Sequence, residues 1–275
     1  MTFGARLRDA MDTHGPLCAG IDPHPALLDA WGMTDSAVGL ERFSLTAVEA
    51  LAGTVAALKP QSAFFERHGA KGVAVLEKVV AEARARGALV VLDVKRGDIG
   101  STAQAYADAY LDPTSPLAAD AITASPFLGV GSLDPLIDTA LAHDAGVFVL
   151  ALTSNPEGPQ VQHARTDDGR TVAGTVLQAV AARNAGADPL GSIGAVVGAT
   201  IGDTRENLDV NGPLLVPGLG AQGGTPSDVV RIFGSAARNV LASSSREILG
   251  AGPDKAALHD AARRTARELS VLAGA

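Results

Sequence analysis

Asp93 and Lys95 stand two residues apart at the end of an aliphatic run, Leu89-Val90-Val91-Leu92. On a strand that spacing points both side chains to one face. Two charges on such a run need each other or a ligand, because an unpaired buried charge is very costly. Gly97 permits a sharp turn, and Asp98 follows it. An earlier run, Val55-Ala56-Ala57-Leu58, ends in the same manner on Lys59. These residues could form an alternating row: Lys59, Asp93, Lys95, Asp98. Neighbouring carboxylates favour the charged form of each lysine. A protonated Lys95 could then act as a general acid or stabilise a developing carbanion. A fixed Asp93 would repel a substrate carboxylate beside it, and that repulsion would fade as neutral carbon dioxide left. The spacing alone also fits a salt-bridge network that closes one end of the fold.

Such a row requires strands that end together. Apolar runs of strand length occur at 17–21, 54–58, 89–94, 121–124, 147–152, 193–199, 214–216 and 239–242. Helical periodicity fills most of the gaps, as at 35–52, 69–86, 132–144, 171–185, 227–237 and 255–272. Alternating strand and helix predicts parallel βαβ units. Eight strands and this length predict one α/β domain over residues 1–275, a single (β/α)8 TIM barrel, with an open doubly wound sheet as the competing topology. Several runs end in polar or glycine-rich punctuation, including Asp22-Pro23, Lys59-Pro60-Gln61, Ser125-Pro126, Pro217-Gly218-Leu219-Gly220 and Ser243-Ser244-Ser245-Arg246. In a barrel these gather at the C-terminal rim, where catalytic loops sit. The polar stretch 155–170 reads as a loop after the fifth strand.

Composition narrows the partners. The chain of 275 residues is 47% hydrophobic but 4% aromatic, so its core must be aliphatic, as buried parallel sheets are. The formal charge is −8 and no basic stripe occurs, which argues against nucleic acid. The N-terminal residues mix charges without a long apolar run, and no run of about 18 apolar residues appears, so neither a signal peptide nor a membrane span is expected and the cytoplasm is the expected location. Cys18 is the single cysteine and is read as a small apolar filler.

Asp93-x-Lys95-x-x-Asp98 followed by Ile99-Gly100-Ser101-Thr102 resembles the signature of the orotidine 5′-phosphate decarboxylase family, in its longer-chain branch. Gly20-Ile21-Asp22-Pro23, Leu58-Lys59-Pro60-Gln61, the 123–129 segment, Pro217-Gly218-Leu219-Gly220-Ala221-Gln222 and Ser245-Arg246 match the family's other strand-end motifs in order. The resemblance implies decarboxylation of orotidine 5′-phosphate to UMP, the last step of pyrimidine synthesis, with no cofactor and no metal. It implies that Lys95 donates the proton and Asp93 sits by the departing carboxylate. Lys59 and Asp98 would complete the array and hold ribose hydroxyls. Asp22 would bind ribose, Ser125 the pyrimidine edge, and Gln222 and Arg246 the phosphate end, with Pro217 in the same loop. Asp98, Ile99 and Thr102 would serve the partner's site in a homodimer with shared active sites. An arginine fork matches phosphate oxygens, and the loops after strands seven and eight are a common barrel phosphate site.

The histidines His24, His68, His143, His163 and His259 lack the spacing of a zinc motif and read as surface or packing residues. Two other readings remain. One is a magnesium-dependent sugar-phosphate decarboxylase or aldolase of the same superfamily, which shares the Asp-x-Lys-x-x-Asp signature. The other is a non-catalytic nucleotide-binding barrel.

Overall fold

The structure, a computed structural model, describes residues 1–220 and 223–274. Eight parallel strands close into a barrel in chain order, which excludes the open sheet. They are β1 (Leu17–Ile21), β2 (Ala57–Pro60), β3 (Leu89–Arg96), β4 (Ala121–Ala124), β5 (Gly146–Leu152), β6 (Ile193–Val197), β7 (Leu214–Pro217) and β8 (Val240–Ser244). A helix α1 (Phe3–His14) precedes β1, and α2 (Pro25–Ala30) and α3 (Ala37–Leu51) follow it. Then come α4 (Ala63–Glu66) and α5 (Gly69–Ala85) after β2, α6 (Gly100–Leu111) after β3, and α7 (Asp134–Ala142) after β4. After β5 come α8 (Pro159–Gln162) and α9 (Val172–Arg183). The helix α10 (Pro226–Phe233) follows β7, and α11 (Arg246–Leu249) and α12 (Lys255–Glu268) follow β8.

β1 and β4 span the residues their apolar runs predict. β2 lies further along than 54–58, because Val55 and Ala56 belong to the approach and the strand continues through Lys59 to Pro60. β3 runs on to Arg96, so Lys95 is inside the strand. The 155–170 stretch is not wholly loop: it holds the single turn of α8. No helix among the described residues is long and apolar enough to cross a membrane.

Two apolar layers follow from the two-residue period of the strands. Leu58, Val90, Leu92, Ile122 and Val149 face the helical shell. Cys18, Ala57, Val91, Ala121, Phe148, Val196, Leu215 and Leu241 face the barrel interior. The helix α1, absent from the periodicity reading, closes the N-terminal end of that interior. Thr2 caps it, accepting from the Ala5 amide. Phe3, Leu7 and Met11, spaced one turn apart, insert among the inward residues. The Phe3 ring meets the Phe148 ring edge-on at 6.0 Å. Gly146 makes room for it, since a Cβ there would lie 2.3 Å from the Phe3 ring.

The inward parity carries directly to the site. Two residues beyond Ala57 is Lys59, two beyond Val91 is Asp93, and two beyond Ala121 is Thr123. The interior is therefore apolar at the α1 end and polar at the C-terminal rim.

Truncating Phe3→Ala should destabilise the protein by about 3–5 kcal/mol, the cost of an aromatic deleted from a close-packed core. Urea unfolding checks this; a loss under about 1 kcal/mol, typical of a surface change, would show that α1 is not part of the barrel core.

Candidate active site

A cavity of about 460 Å³ opens at the C-terminal rim. Strand-end residues supply its floor and walls: Asp22 from β1, Lys59 from β2, Asp93 and Lys95 from β3, Thr123 from β4, Pro217 from β7 and Ser243 to Arg246 from β8.

The Asp93 carboxylate is the centre of the floor. Its Oδ1 accepts from Lys95 Nζ at 2.6 Å and from the Thr123 hydroxyl at 2.7 Å. Its Oδ2 accepts from Lys59 Nζ at 3.3 Å. Burial alone would raise its pKa, but the two ammonium groups and these hydrogen bonds outweigh it and hold the carboxyl down at about 2. Lys59 is also buried. Burial opposes its charge, yet Asp22 and Asp93 outweigh that penalty and raise its pKa above the ordinary lysine value. The two lysines differ in access. Lys59 is 6% exposed, whereas the Lys95 side chain keeps 46% of its surface. Both line the cavity, and Lys95 presents far more of its surface to it.

Lys95 is held in an uncommon way. Its backbone lies in the left-handed region at φ 47°, a conformation a lysine rarely adopts. Between Leu92, opposite Ile122, and Arg96, opposite Ala124, β3 spends four steps where β4 spends two. The irregularity swings Lys95 toward the cavity, and its amide donates to Thr123 Oγ1 at 2.9 Å. Thr123 thus ties the Lys95 backbone to the Asp93 carboxylate. Gly97 is needed for a different reason from the sharp turn expected of it: a Cβ there would lie 2.2 Å from the Ser125 carbonyl oxygen.

Polar atoms without partners mark where a ligand would bind. Asp22 Oδ1, Ser244 Oγ and Ser245 Oγ are buried and have no hydrogen-bond partner among the described residues. Each such group costs about 1–3 kcal/mol that a bound hydroxyl or phosphate would relieve. Arg246 lines the same rim and is exposed to it.

Not every expected residue joins this cavity. Ser125, expected at a pyrimidine edge, is half-buried beside the cavity and is not among the residues lining it. Its amide donates to the Arg96 carbonyl at 2.8 Å and its own carbonyl packs under Gly97, which fixes it beneath the β3 loop. Asp98, Ile99 and Thr102 also lie outside the cavity lining. Asp98 Oδ1 accepts from the Ile99 amide at 2.8 Å, and Ile99 is 62% exposed. Gln222 falls outside the described residues. His24, read as a surface or packing residue, does pack: it lines the cavity and meets the Phe64 ring edge-on, with ring centroids 4.2 Å apart. Thr123, Gln61 and Phe64 also line the cavity. Strand parity was the available signal for Thr123; nothing in the spacing signalled His24 or Phe64. Cys18 is buried one layer below, and burial pushes its thiol up to about 12.

The Asp93 ionisation carries a stability consequence. Its pKa is lower in the folded chain than the ordinary 3.8, so the stabilisation is full above pH 4 and is lost as pH falls toward about 2. Wild type should lose about 2 kcal/mol more than Asp93→Asn across that interval. Urea unfolding at stepped pH checks it; parallel slopes for the two proteins would refute it.

Residues 15–261 match the model of the orotidine 5′-phosphate decarboxylase / HUMPS family. A Streptomyces coelicolor protein named orotidine 5′-phosphate decarboxylase is 62% identical over 97% of this chain and 96% of its own length. One of the same name from Nocardioides is 66% identical over 90% and 91%. A solved Streptomyces avermitilis structure superposes with a TM-score of 0.97 at 61% identity, covering 100% of this chain and 96% of that one. A solved Leishmania donovani OMP decarboxylase does so at 0.78 and 31% identity, with both chains fully covered. With its closed barrel and its charged rim, this chain belongs to the orotidine 5′-phosphate decarboxylase / HUMPS family.

Proposed function

We propose that this chain decarboxylates orotidine 5′-phosphate to UMP and carbon dioxide, using Lys59, Asp93, Lys95 and Asp98 as its charged array. The observation that carries the reading is the Lys59–Asp93–Lys95 row, with an ionised carboxylate between a buried ammonium and an accessible one. The relatives' shared name supplies the substrate.

The chemistry follows from the geometry. A substrate carboxylate placed beside Asp93 meets fixed negative charge, and neutral carbon dioxide does not, so the site favours the departing state. The carbon–carbon bond breaks and its electron pair stays on the pyrimidine carbon. The Lys95 ammonium stabilises that pair and gives it a proton, leaving a neutral amine that regains its proton from solvent. Asp22 and Lys59 hold ribose hydroxyls. Arg246 takes the phosphate, with the orphan Ser244 and Ser245 hydroxyls beside it. Gln222 and Pro217 belong to the same phosphate-side loop. Binding energy from the phosphate orients the reacting ring.

The working unit in this reading is a homodimer. Asp98 and Ile99 lie on the loop after β3 and Thr102 in the first turn of α6, all outside the lining of their own cavity. Ile99 and, on the adjoining loop after β4, Phe127 at 75% and Leu128 at 54% exposure supply an apolar face suited to a second copy.

Two measurements test the reading. Purified protein with EDTA should deplete orotidine 5′-phosphate absorbance, and Lys95→Ala should lower kcat on the order of 10³-fold while still binding UMP. Strict dependence on added magnesium, or near-normal turnover by Lys95→Ala, would overturn it. For the shared site, Lys95→Ala and Asp98→Ala homodimers should each be nearly inactive, and exchanging their subunits should regenerate one intact site per mixed dimer. Demonstrated exchange without recovered activity would show that each subunit carries its own complete site.

A further inference from the structure

Lys95 reaches Asp93 from a left-handed backbone, and such a strained conformation persists only when its surroundings over-determine it. Thr123 fixes the amide on the N-terminal side of Lys95. The other constraint comes from its neighbour. Arg96 Nη1 folds back to donate to the Val94 carbonyl at 3.0 Å. The Arg96 carbonyl accepts from the Ser125 amide at 2.8 Å. The arginine therefore brackets Lys95: its side chain grips the peptide before it, and its backbone is pinned to β4 after it.

The outer end of the same guanidinium is anchored twice. Nη2 donates to Glu66, the last residue of α4, two positions from the cavity-lining Phe64. The guanidinium carbon also lies 5.8 Å from the Tyr106 ring centroid on α6, the helix that continues the Asp98–Thr102 segment. An ion pair as open as this one, with side chains 28% and 40% exposed, contributes little to stability. Stability is thus a weak reason for this arrangement, and a backbone constraint on Lys95 is a direct one.

We propose that Arg96 is a positioning residue, a clamp that holds Lys95 in its left-handed conformation and so aims the ammonium at Asp93, with Glu66 and Tyr106 as its anchors. This inference rests on the reading of Lys95 as proton donor. Arg96 is not among the residues lining the cavity. Its planar fork spans two acceptors in fixed directions, which a lysine cannot do.

The test compares turnover with product binding. Arg96→Ala should lower kcat about 100-fold, the scale of an ångström-sized misplacement of a reacting group. Its UMP affinity should stay at the wild-type level, because ribose and phosphate contacts are untouched. Millimolar guanidinium should restore part of the lost kcat in Arg96→Ala and do nothing for a control Arg86→Ala. Glu66→Gln, which keeps an acceptor but loses the charge, should show a smaller loss, on the order of tenfold, again without a change in UMP affinity. A kcat for Arg96→Ala within about twofold of wild type, inside the range of an inert surface change, would overturn the clamp. So would a parallel fall in kcat and UMP affinity without guanidinium rescue, the signature of general disruption. If Arg96→Ala fails to fold, Glu66→Gln decides alone: reduced kcat with intact UMP binding supports the clamp, and unchanged kcat refutes it. Normal turnover by Lys95→Ala would instead defeat the proton-donor reading itself, which keeps the two failures separate.

Discussion

Asp93 accepts from Lys59, Lys95 and Thr123 at once, and the rest of the site is arranged around that carboxylate. A buried carboxylate stripped of its partner cation would be an uncompensated charge, at a cost of about 3–5 kcal/mol. With all three partners it is ionised, fixed in direction and saturated. Its field then orders the charges next to it: a buried lysine that stays protonated and an accessible one aimed across the cavity. The catalytic potential of the rim comes from this asymmetry of access between two otherwise similar ammonium groups.

The barrel makes the arrangement possible through parity. Each strand presents alternate residues inward, so Ala57 and Lys59, Val91 and Asp93, and Ala121 and Thr123 occupy successive layers of one interior. The lower layer is closed by α1, whose Phe3, Leu7 and Met11 fill it from the N-terminal end. Aliphatic packing below excludes water from one side of the charged layer. The open rim admits a ligand from the other. Adjacent strands in a closed sheet hold these side chains at fixed separations that no single loop could maintain.

At one place the regular lattice is broken. The irregular β3–β4 pairing and the left-handed backbone both fall at Lys95, the residue proposed to donate the proton. Local conformational cost at a functional residue is a recurring feature of active sites, and it requires supports nearby. Here they are Thr123, Gly97 under the Ser125 carbonyl, and the bracketing contacts of Arg96.

Sequence pattern alone determined the α/β class with its eight strands and three members of the row, whereas closure of the barrel and the position of Asp98 outside the cavity came from the tertiary structure. Strand periodicity and strand-end punctuation located all eight strands, with β1 and β4 at their observed limits, because a buried parallel strand must be a continuous apolar run. Charge at the end of such a run was equally visible at Lys59, Asp93 and Lys95. The sequence was less informative wherever a residue's role depends on a distant neighbour. The helix α1 mixes charged residues with few apolar ones, and its apolar stripe gains meaning only against the barrel interior it fills. The place of His24 at the cavity wall depends on the loop after β1 lying beside Phe64. The contact of the Ser125 carbonyl with Gly97 likewise depends on how the β3 loop is laid over β4. Only the tertiary structure could distinguish a structural salt-bridge row from one facing a cavity, or give Lys95 its left-handed backbone. Spacing fixes which face a side chain takes, whereas access to solvent and backbone strain are set by what other segments of the chain pack against it.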